Sequence, residues 1–339
     1  MPLVNPNILK GLKSTFQYLV ILSVTAGLLW ISLRSIETDP GQSTSEFLWM
    51  TWSSSNKFYL LIMFLVSMFS HLLRALRWKM LLAPAGYSTS TSSSFLSLMI
   101  GYLVNLVIPR GGEVSRSLNL WKLEKVPAEV SFGTVVTERL VDVICLLSLV
   151  AFSFWMEWDK LKEFLNHKFT GWDLMEKASW AWVVIPAVGI LLLVVIWKAL
   201  RRNQKFQSLV RGFQSGLFTI FKMNNYGLFL FYSLAIWFLY FLTTYWVIKA
   251  FDQTAHLGMD AVFTVFALGS VAMAVPLPGG TGSYHTLVPL GLVSLYGLAQ
   301  SDAVALVFIF HALQTLILIA AGVISMIISL WLIRSRMTK

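Results

Sequence analysis

The chain has 339 residues, of which 57% are hydrophobic and 12% are charged, and its formal net charge is +10. This composition lies far outside the range of soluble domains and is typical of a polytopic membrane protein. The single cysteine, Cys145, excludes a disulfide framework and a thiolate metal cluster. The bases lie at the ends of apolar runs rather than along one polar face, which argues against a nucleic-acid partner.

The first half of the chain predicts two spans followed by a broken apolar run. The uncharged run from Ser14 to Leu33 is long enough to cross a bilayer. The next loop carries acids but no base and is predicted to be external, and residues 58–73 return to a basic cluster that marks the cytoplasmic side. A further apolar run ends in Asn105–Glu113, where Pro109 and two glycines prevent a helix from continuing.

The distribution of charge indicates that this broken run is a re-entrant hairpin. With a re-entrant hairpin, 18 Lys and Arg residues lie on the cytoplasmic side and seven lie outside. A full crossing would instead place Arg201, Arg202, Lys205 and Arg211 outside. Because short cytoplasmic loops are rich in Lys and Arg, we predict the re-entrant arrangement.

The last span of the first half, Ser131–Trp155, contains the charged residues Glu138, Arg139 and Asp142. An uncharged stretch of 14 residues separates Asp142 from Glu157. Such a stretch gives about 21 Å of helix, which is shorter than a hydrocarbon core of about 30 Å. We therefore expect the three charged residues to lie below the headgroups.

The second half predicts the same order of elements. They are a span at 178–197, an interfacial amphipathic segment at 203–222, a span at 223–248, an uncharged run at 261–301 broken at Pro278-Gly279-Gly280, and a final span at 303–333. We interpret the uncharged run as a second re-entrant hairpin, entered from outside. Two interrupted apolar segments at corresponding places in two halves indicate a transport site.

The predicted fold is therefore an all-α polytopic membrane protein with six spanning helices and two opposed re-entrant hairpins. The hairpins cover about 93–125 and 259–298, and residues 1–157 and 178–336 form an inverted-topology repeat within one membrane domain, 1–339. An offset of 169 superposes Pro109 on Pro278, and it also superposes Gly111 on Gly280, Arg116 on His285 and Asp142 on His311.

Four motifs occur in the same order as in a known family. They are Leu73–Trp78 before Leu81-Leu82, Asn105–Glu113 with Arg116, Glu138–Asp142, and Pro278–Gly282. The sequence resembles the flippase-like integral membrane family named for the transmembrane domain of lysylphosphatidylglycerol synthase. The resemblance implies two opposed re-entrant hairpins and movement of lipids between leaflets. His285 stands where that family often has an acid, and the soluble aminoacyl-transfer domain of the synthases is lacking, so synthase activity is not expected.

We expect a flippase-like transporter of an anionic or polyprenyl-type lipid. The expected substrate-binding residues are Arg110, Gly111, Gly112, Glu113, Arg116, Glu138, Arg139, Asp142, Pro278, Gly279, Gly280, His285 and His311, with headgroup contacts at Arg74 and Arg77. The arginines would hold phosphate, and backbone N–H groups at the glycines would add donors. We expect no metal and no cofactor, a membrane or cytoplasmic partner in lipid synthesis, and a plasma (inner) membrane location with both termini cytoplasmic.

Structural roles remain open for the same residues. Arg74 and Arg77 also fit a role as topology determinants. Arg139 and Asp142 are three residues apart on one helix face and also fit an internal ion pair. The Arg110–Arg116 segment also fits a solvated loop, and Pro278-Gly279-Gly280 also fits a tight turn. His285 and His311 also fit core positions whose hydrogen bonds are satisfied. His71 is expected at the membrane interface. An intramembrane lipid-modifying enzyme and a non-transporting assembly partner are the alternative functions.

Overall fold

A computed structural model describes residues 42–156 and 204–337, together with 23, 26–34, 36 and 158. These residues form helices and turns without strands, which confirms the predicted all-α class for this part of the chain. The first half contains α1 (Thr44–Ser54), α2 (Lys57–Leu82), α3 (Thr91–Asn105), α4 (Gly111–Glu124) and α5 (Ala128–Met156). The second half contains α6 (Gln204–Leu217), α7 (Tyr226–Ala250), α8 (Met259–Ala274), α9 (Ser283–Tyr296) and α10 (Gln300–Met337). Residues 26–34 are also helical.

Three described segments are long and apolar enough to cross a membrane: Lys57–Ala85, Tyr226–Ala250 and Gln300–Ser335. Helix α5 has the length of a span, but its first half carries the predicted charged residues. The predicted span at 178–197 and most of the predicted span at 14–33 lie outside the described residues. The total of six spans therefore stays a prediction.

Two helical hairpins occupy the places where the sequence is broken. In the first, α3 and α4 meet at Pro109 and Arg110, and in the second, α8 and α9 meet around Pro278–Gly280. The four helices have 14 to 16 residues. At 1.5 Å per residue each is about 21 to 24 Å long, which is too short for a straight crossing of a core of about 30 Å. Their length favours the predicted re-entrant placement.

The helix boundaries repeat along the chain. Adding the predicted offset of 169 to the first residues of α2, α3, α4 and α5 gives 226, 260, 280 and 297. The corresponding helices α7, α8, α9 and α10 begin at 226, 259, 283 and 300. This agreement supports an internal repeat, because it involves four elements rather than one motif. The opposite orientation of the two halves stays a prediction.

Helices α2 and α7 pack along each other and form the centre of the described structure. On one side lies the largest apolar cluster, in which Phe241, Phe251, Phe266 and Phe310 join α7 and the second hairpin to α10. On the other side, a smaller cluster around Trp78 joins α2 to α4 and α5. Because both hairpins pack against this centre, their tips face each other.

Helix α6 packs against α5 rather than standing apart as a surface segment. Gly133 of α5 lies against the carbonyl oxygen of Phe213, and Gly216 of α6 lies against the carbonyl oxygen of Val130, so a Cβ atom at either glycine would collide with backbone. The two helices therefore cross closely through glycine. Contact of the opposite face of α6 with lipid headgroups stays a prediction.

Candidate functional site

A cavity of about 450 Å³ lies where the two hairpin tips meet, between α2, α5, α7 and α10. The tips touch directly. Nη2 of Arg110 in the first tip donates to the carbonyl oxygen of Ala274 in the second at 2.9 Å, and the side chain of Leu106 packs against Gly279. Arg110 and Leu106 of the first tip and Ala274 and Gly279 of the second all line the cavity, so the contact between the tips forms part of its wall.

Glu138 of α5 is the centre of an ion cluster beside the cavity, and its side chain is fully buried. Its Oε1 accepts from Nε of Arg74 at 2.7 Å and from Nη2 of Arg77 at 3.1 Å. Its Oε2 accepts from Nη2 of Arg116 at 2.8 Å. The guanidinium of Arg116 also lies over the ring of Trp78, 4.7 Å from its centroid. One carboxylate thus joins side chains from α2, α4 and α5.

Asp142 lies one turn beyond Glu138 and extends the cluster. It accepts from Nη2 of Arg74 at 2.8 Å and from Nη2 of Arg77 at 2.7 Å. Its distance to Arg139 is longer, 3.6 Å, whereas Arg139 donates to Glu113 at 3.0 Å. The ion pair expected between Arg139 and Asp142 is therefore the weakest contact of either residue.

The charged residues divide into a group on the cavity surface and a group behind it. Arg74, Arg110, Glu113, Arg139 and Asp142 line the cavity, whereas Arg77, Arg116 and Glu138 are buried behind the lining. The surface group has three arginines and two carboxylates, and the whole cluster has five and three. Arg77 is 0% exposed, a position that does not fit the direct headgroup contact expected for it.

The glycines of the first tip use their backbone donors within the protein. The N–H of Gly111 donates to the carbonyl oxygen of Ile108 at 2.9 Å, and the N–H of Gly112 donates to Oδ1 of Asn105 at 2.7 Å. A Cβ atom on Gly112 would collide with the carbonyl oxygen of Gly101. These glycines therefore let α3 and α4 approach closely, and the donors expected for a phosphate are occupied in this structure.

Arg110 has φ = 63°, a left-handed conformation that is unfavourable for a residue with a Cβ atom. Such a conformation costs about 1 to 2 kcal/mol and persists only where the surroundings fix it. Here the turn before α4 requires it, and the side chain is then directed across to Ala274. The strained position thus serves the contact between the tips.

The second tip is built from glycines in left-handed conformations. Gly279 and Gly280 have φ = 57° and 73° and line the cavity, while Pro278 is buried behind them. Nε2 of His311 lies 3.1 Å from the carbonyl oxygen of Gly279, and the ring of His285 lies 4.7 Å from that of His311. The structure thus brings together the residues that the sequence singled out in the second half.

Several cavity residues were not among the predicted site residues: His71, Tyr102, Asn105, Trp237 and Tyr240. His71 is buried among protein side chains, and its ring lies 4.8 Å from that of Tyr102, whereas its expected interfacial depth in the membrane stays a prediction. The hydroxyl of Tyr240 accepts from Nη1 of Arg74 at 3.0 Å. Asn105 carried a sequence signal, since it opens the broken motif, but the aromatic residues had none in a chain so rich in aromatics.

Some buried polar atoms on cavity residues have no hydrogen-bond partner. They are His71 Nδ1, Tyr102 Oη, Glu113 Oε2, Arg139 Nε and Trp237 Nε1. An unmet buried polar atom costs about 1 to 3 kcal/mol, so this wall favours a polar occupant. Within the described ranges, no group of three His, Cys, Asp or Glu side chains is placed to hold a metal ion.

Comparison with known proteins identifies the family. The sequence profile described as the lysylphosphatidylglycerol synthase TM region matches residues 18–322. The chain is 25% identical over 231 residues to the UPF0104 membrane protein MJ1078 of Methanocaldococcus jannaschii, a match that covers 66% of this chain and 92% of that protein. It is 31% identical over 102 residues to the UPF0104 membrane protein MJ1595 of the same organism, covering 29% of this chain and only 30% of that protein. No solved structure matches significantly. The chain therefore belongs to the family of the lysylphosphatidylglycerol synthase TM region.

Proposed function

We propose that the protein moves an anionic lipid, a phospholipid or a polyprenyl phosphate, between the two leaflets of the plasma (inner) membrane. The observation that carries the proposal is the cavity between the two hairpin tips, which joins a wall of arginines and carboxylates to a wall of apolar side chains. A charged headgroup cannot cross about 30 Å of hydrocarbon unaided. The cavity supplies a polar environment between the two hairpin tips, where side chains from both halves of the chain line it.

The size of the cavity fits a headgroup rather than a whole lipid. Its volume of about 450 Å³ lies within the range of about 300 to 1,000 Å³ that is usual for small-ligand sites. The headgroup would enter between the tips while the acyl chains stay in the surrounding lipid. Leu146 and Leu318 are among the apolar residues that line the cavity, and they would contact the start of the acyl chains.

The charge of the site favours an anion. Arginines outnumber carboxylates on the cavity surface, and the guanidinium group is suited to bidentate contact with phosphate. Arg139 is the strongest candidate for this contact, because its side chain is 33% exposed and its Nε has no partner in the protein. Arg110 adds a second exposed guanidinium at the first tip.

The contact between the tips would act as a gate. Breaking the Arg110–Ala274 hydrogen bond and separating Leu106 from Gly279 would move the two tips apart and open the cavity between them. Rocking of one half against the other would then expose the headgroup to each leaflet in turn. We propose no chemical step for the protein. Both termini lie in the cytoplasm in this proposal, and a membrane or cytoplasmic protein of lipid synthesis is its proposed partner.

The test uses purified protein in liposomes that contain a fluorescent anionic lipid, with dithionite reporting the outer leaflet. We expect Arg139→Gln to slow exchange at least tenfold and to keep the fold intact. Asp142 keeps its closer contacts with Arg74 and Arg77, and the glutamine amide can still donate a hydrogen bond to Glu113, whose ion pair is lost. Arg211→Gln, which removes the same charge from an exposed position on α6, is the matched control. Wild-type exchange by Arg139→Gln, or recovery of a chemically altered lipid, would contradict the proposal.

A further inference from the structure

Two histidines form a titratable pair behind the second hairpin tip. The ring of His285, in the first turn of α9, lies 4.7 Å from that of His311 on α10, and both rings contact aromatic side chains, Phe308 and Tyr284. His311 lines the cavity, whereas His285 lies behind it and is 3% exposed. The pair therefore connects the cavity to the interior of the second hairpin.

The charged groups that face this pair lie on the cavity wall. Helix α8 carries Asp260 in its first turn, and α10 carries Asp302 in its first turn, nine residues before His311. The neighbouring residues 26–34 contribute Ser32, which donates to the carbonyl oxygen of His285 at 2.8 Å. On α9 itself the neighbouring titratable group is Tyr284. Across the cavity from His311 are Arg74, Arg110, Glu113, Arg139 and Asp142.

The hydrogen bonds of the two rings define their neutral tautomers. A carbonyl oxygen only accepts, so Nε2 of His311 donates to Gly279, and Nδ1 of His311 carries the lone pair. The N–H of Gly282 donates to Nδ1 of His285 at 3.4 Å, so the proton of His285 is on Nε2. In the neutral pair, each ring thus holds one backbone group of the glycine tip.

Protonation of His285 would break one of these contacts. A proton on Nδ1 would face the N–H of Gly282, and two donors cannot share a hydrogen bond. Gly282 has φ = 95°, and Gly279 and Gly280 are also left-handed, so the tip consists of residues that can change conformation at low cost. Because Gly279 touches Leu106, a rearranged tip would also loosen the gate.

We propose that the His285–His311 pair binds a proton together with the anionic headgroup, so that the protein couples lipid movement to proton movement in the same direction. This inference rests on the proposed function. A headgroup phosphate in the cavity offsets the arginines that face His311 and favours a proton on the pair. By reciprocity, a proton on the pair strengthens headgroup binding by the same factor.

The decisive experiment applies a pH gradient to the liposomes used above, with the membrane potential clamped by potassium and valinomycin. With one proton carried per monoanionic lipid, an interior more acidic by one pH unit should shift the outer-to-inner ratio of the fluorescent lipid about tenfold toward the outer leaflet. The variants H285Q and H311Q should lose this shift, because glutamine keeps an acceptor for Gly282 or a donor for Gly279 but binds no proton. H256Q, at a histidine outside the cavity lining, is the matched control and should keep it.

The other possible outcomes distinguish a failure of proton co-binding from a failure of the proposed lipid movement. Three results would overturn proton co-binding while leaving the proposed function intact. They are exchange that does not respond to the gradient, accumulation in the inner leaflet, and a shift that survives in both H285Q and H311Q. Absence of exchange in the wild type would count against the proposed function. Nuclear magnetic resonance of ¹⁵N-histidine-labelled protein then decides the inference, since the pair should take up its proton at higher pH in vesicles with anionic lipid than in purely zwitterionic ones. Equal titration in both would overturn it.

Discussion

Leu106 of the first hairpin tip lies so close to Gly279 of the second that a Cβ atom on Gly279 would be 2.9 Å from a methyl carbon of Leu106. The two residues are far apart in sequence and belong to different halves of the chain. Their contact, with the hydrogen bond from Arg110 to Ala274, joins the two tips at the wall of the cavity.

A disulfide between these positions should lock the tips together. In a background with Cys145→Ser, the double variant Leu106→Cys/Gly279→Cys should lose lipid exchange on oxidation and regain it on reduction. The two single-cysteine variants, treated with the same oxidant, are the controls. Unchanged exchange by the cross-linked protein, with the disulfide verified by mass spectrometry, would show that the tips are not a gate.

Replacement of Glu138 by Gln should destabilise the fold. The change leaves Arg74 and Arg77 with Asp142 as their remaining carboxylate and removes the carboxylate that Arg116 contacts. Loss of one partner from a buried ion cluster costs about 3 to 5 kcal/mol. Thermal unfolding followed by tryptophan fluorescence measures the effect. Glu129→Gln, on the same helix but outside the cluster, should change stability by less than about 1 kcal/mol, and equal behaviour of the two variants would contradict the buried cluster.

A matched double variant tests the same cluster through charge balance. Adding Arg116→Gln to Glu138→Gln removes one base together with the acid that it contacts at 2.8 Å. Because the two residues share a contact, we expect the double variant to be less destabilised than the sum of the single variants. Simple additivity would indicate that the two side chains do not interact.

Gly112→Ala should weaken the first hairpin by about 1 to 3 kcal/mol, the usual range for an overpacked contact. The added methyl group would meet the carbonyl oxygen of Gly101 and the side chain of Asn105. Gly227→Ala is the control, because no atom lies within 4 Å of a Cβ atom at that position. Wild-type stability of Gly112→Ala would favour a role for this glycine in direct phosphate approach instead.

The predicted orientation can be tested by cysteine labelling from each side of the membrane. Lys122→Cys and Arg211→Cys should react from the cytoplasm, and Ser45→Cys from outside. All three positions are exposed. Exposed positions are needed, because buried residues such as Ile36 and Leu120 would not react from either side. External labelling at position 211 would overturn the predicted topology.

The elements that sequence predicted well are those set by local chemistry. Pro109 and the glycines after it end an apolar run whatever surrounds them, and the same holds for Pro278 and its glycines. The hairpin limits of about 93–125 and 259–298 therefore agree closely with the helices that end at Glu124 and Tyr296. Charged residues inside a predicted span also drew attention to Glu138 and Asp142, which the structure places in one ion cluster.

The partners of those residues could not be predicted, because they come from distant elements. Arg74 and Arg77 lie 61 to 68 residues before the carboxylates that they contact. A local pattern could propose only the pair three residues apart, Arg139 and Asp142, which is the longest ion contact of the cluster. The same limit applies to the glycines, whose donors are occupied by tertiary contacts that no spacing reveals.

The two halves resemble each other in helix layout but differ in the contacts that hold their hairpins to the neighbouring helices. Side chains from α2 and α4 converge on a single carboxylate of α5, so these helices should travel as one anchored unit. At the equivalent place, the second half has backbone contacts to the rings of His285 and His311 and three left-handed glycines. If the two halves rock as proposed, the first hairpin should stay fixed to α2 and α5, and the change of conformation should occur mainly in the second hairpin.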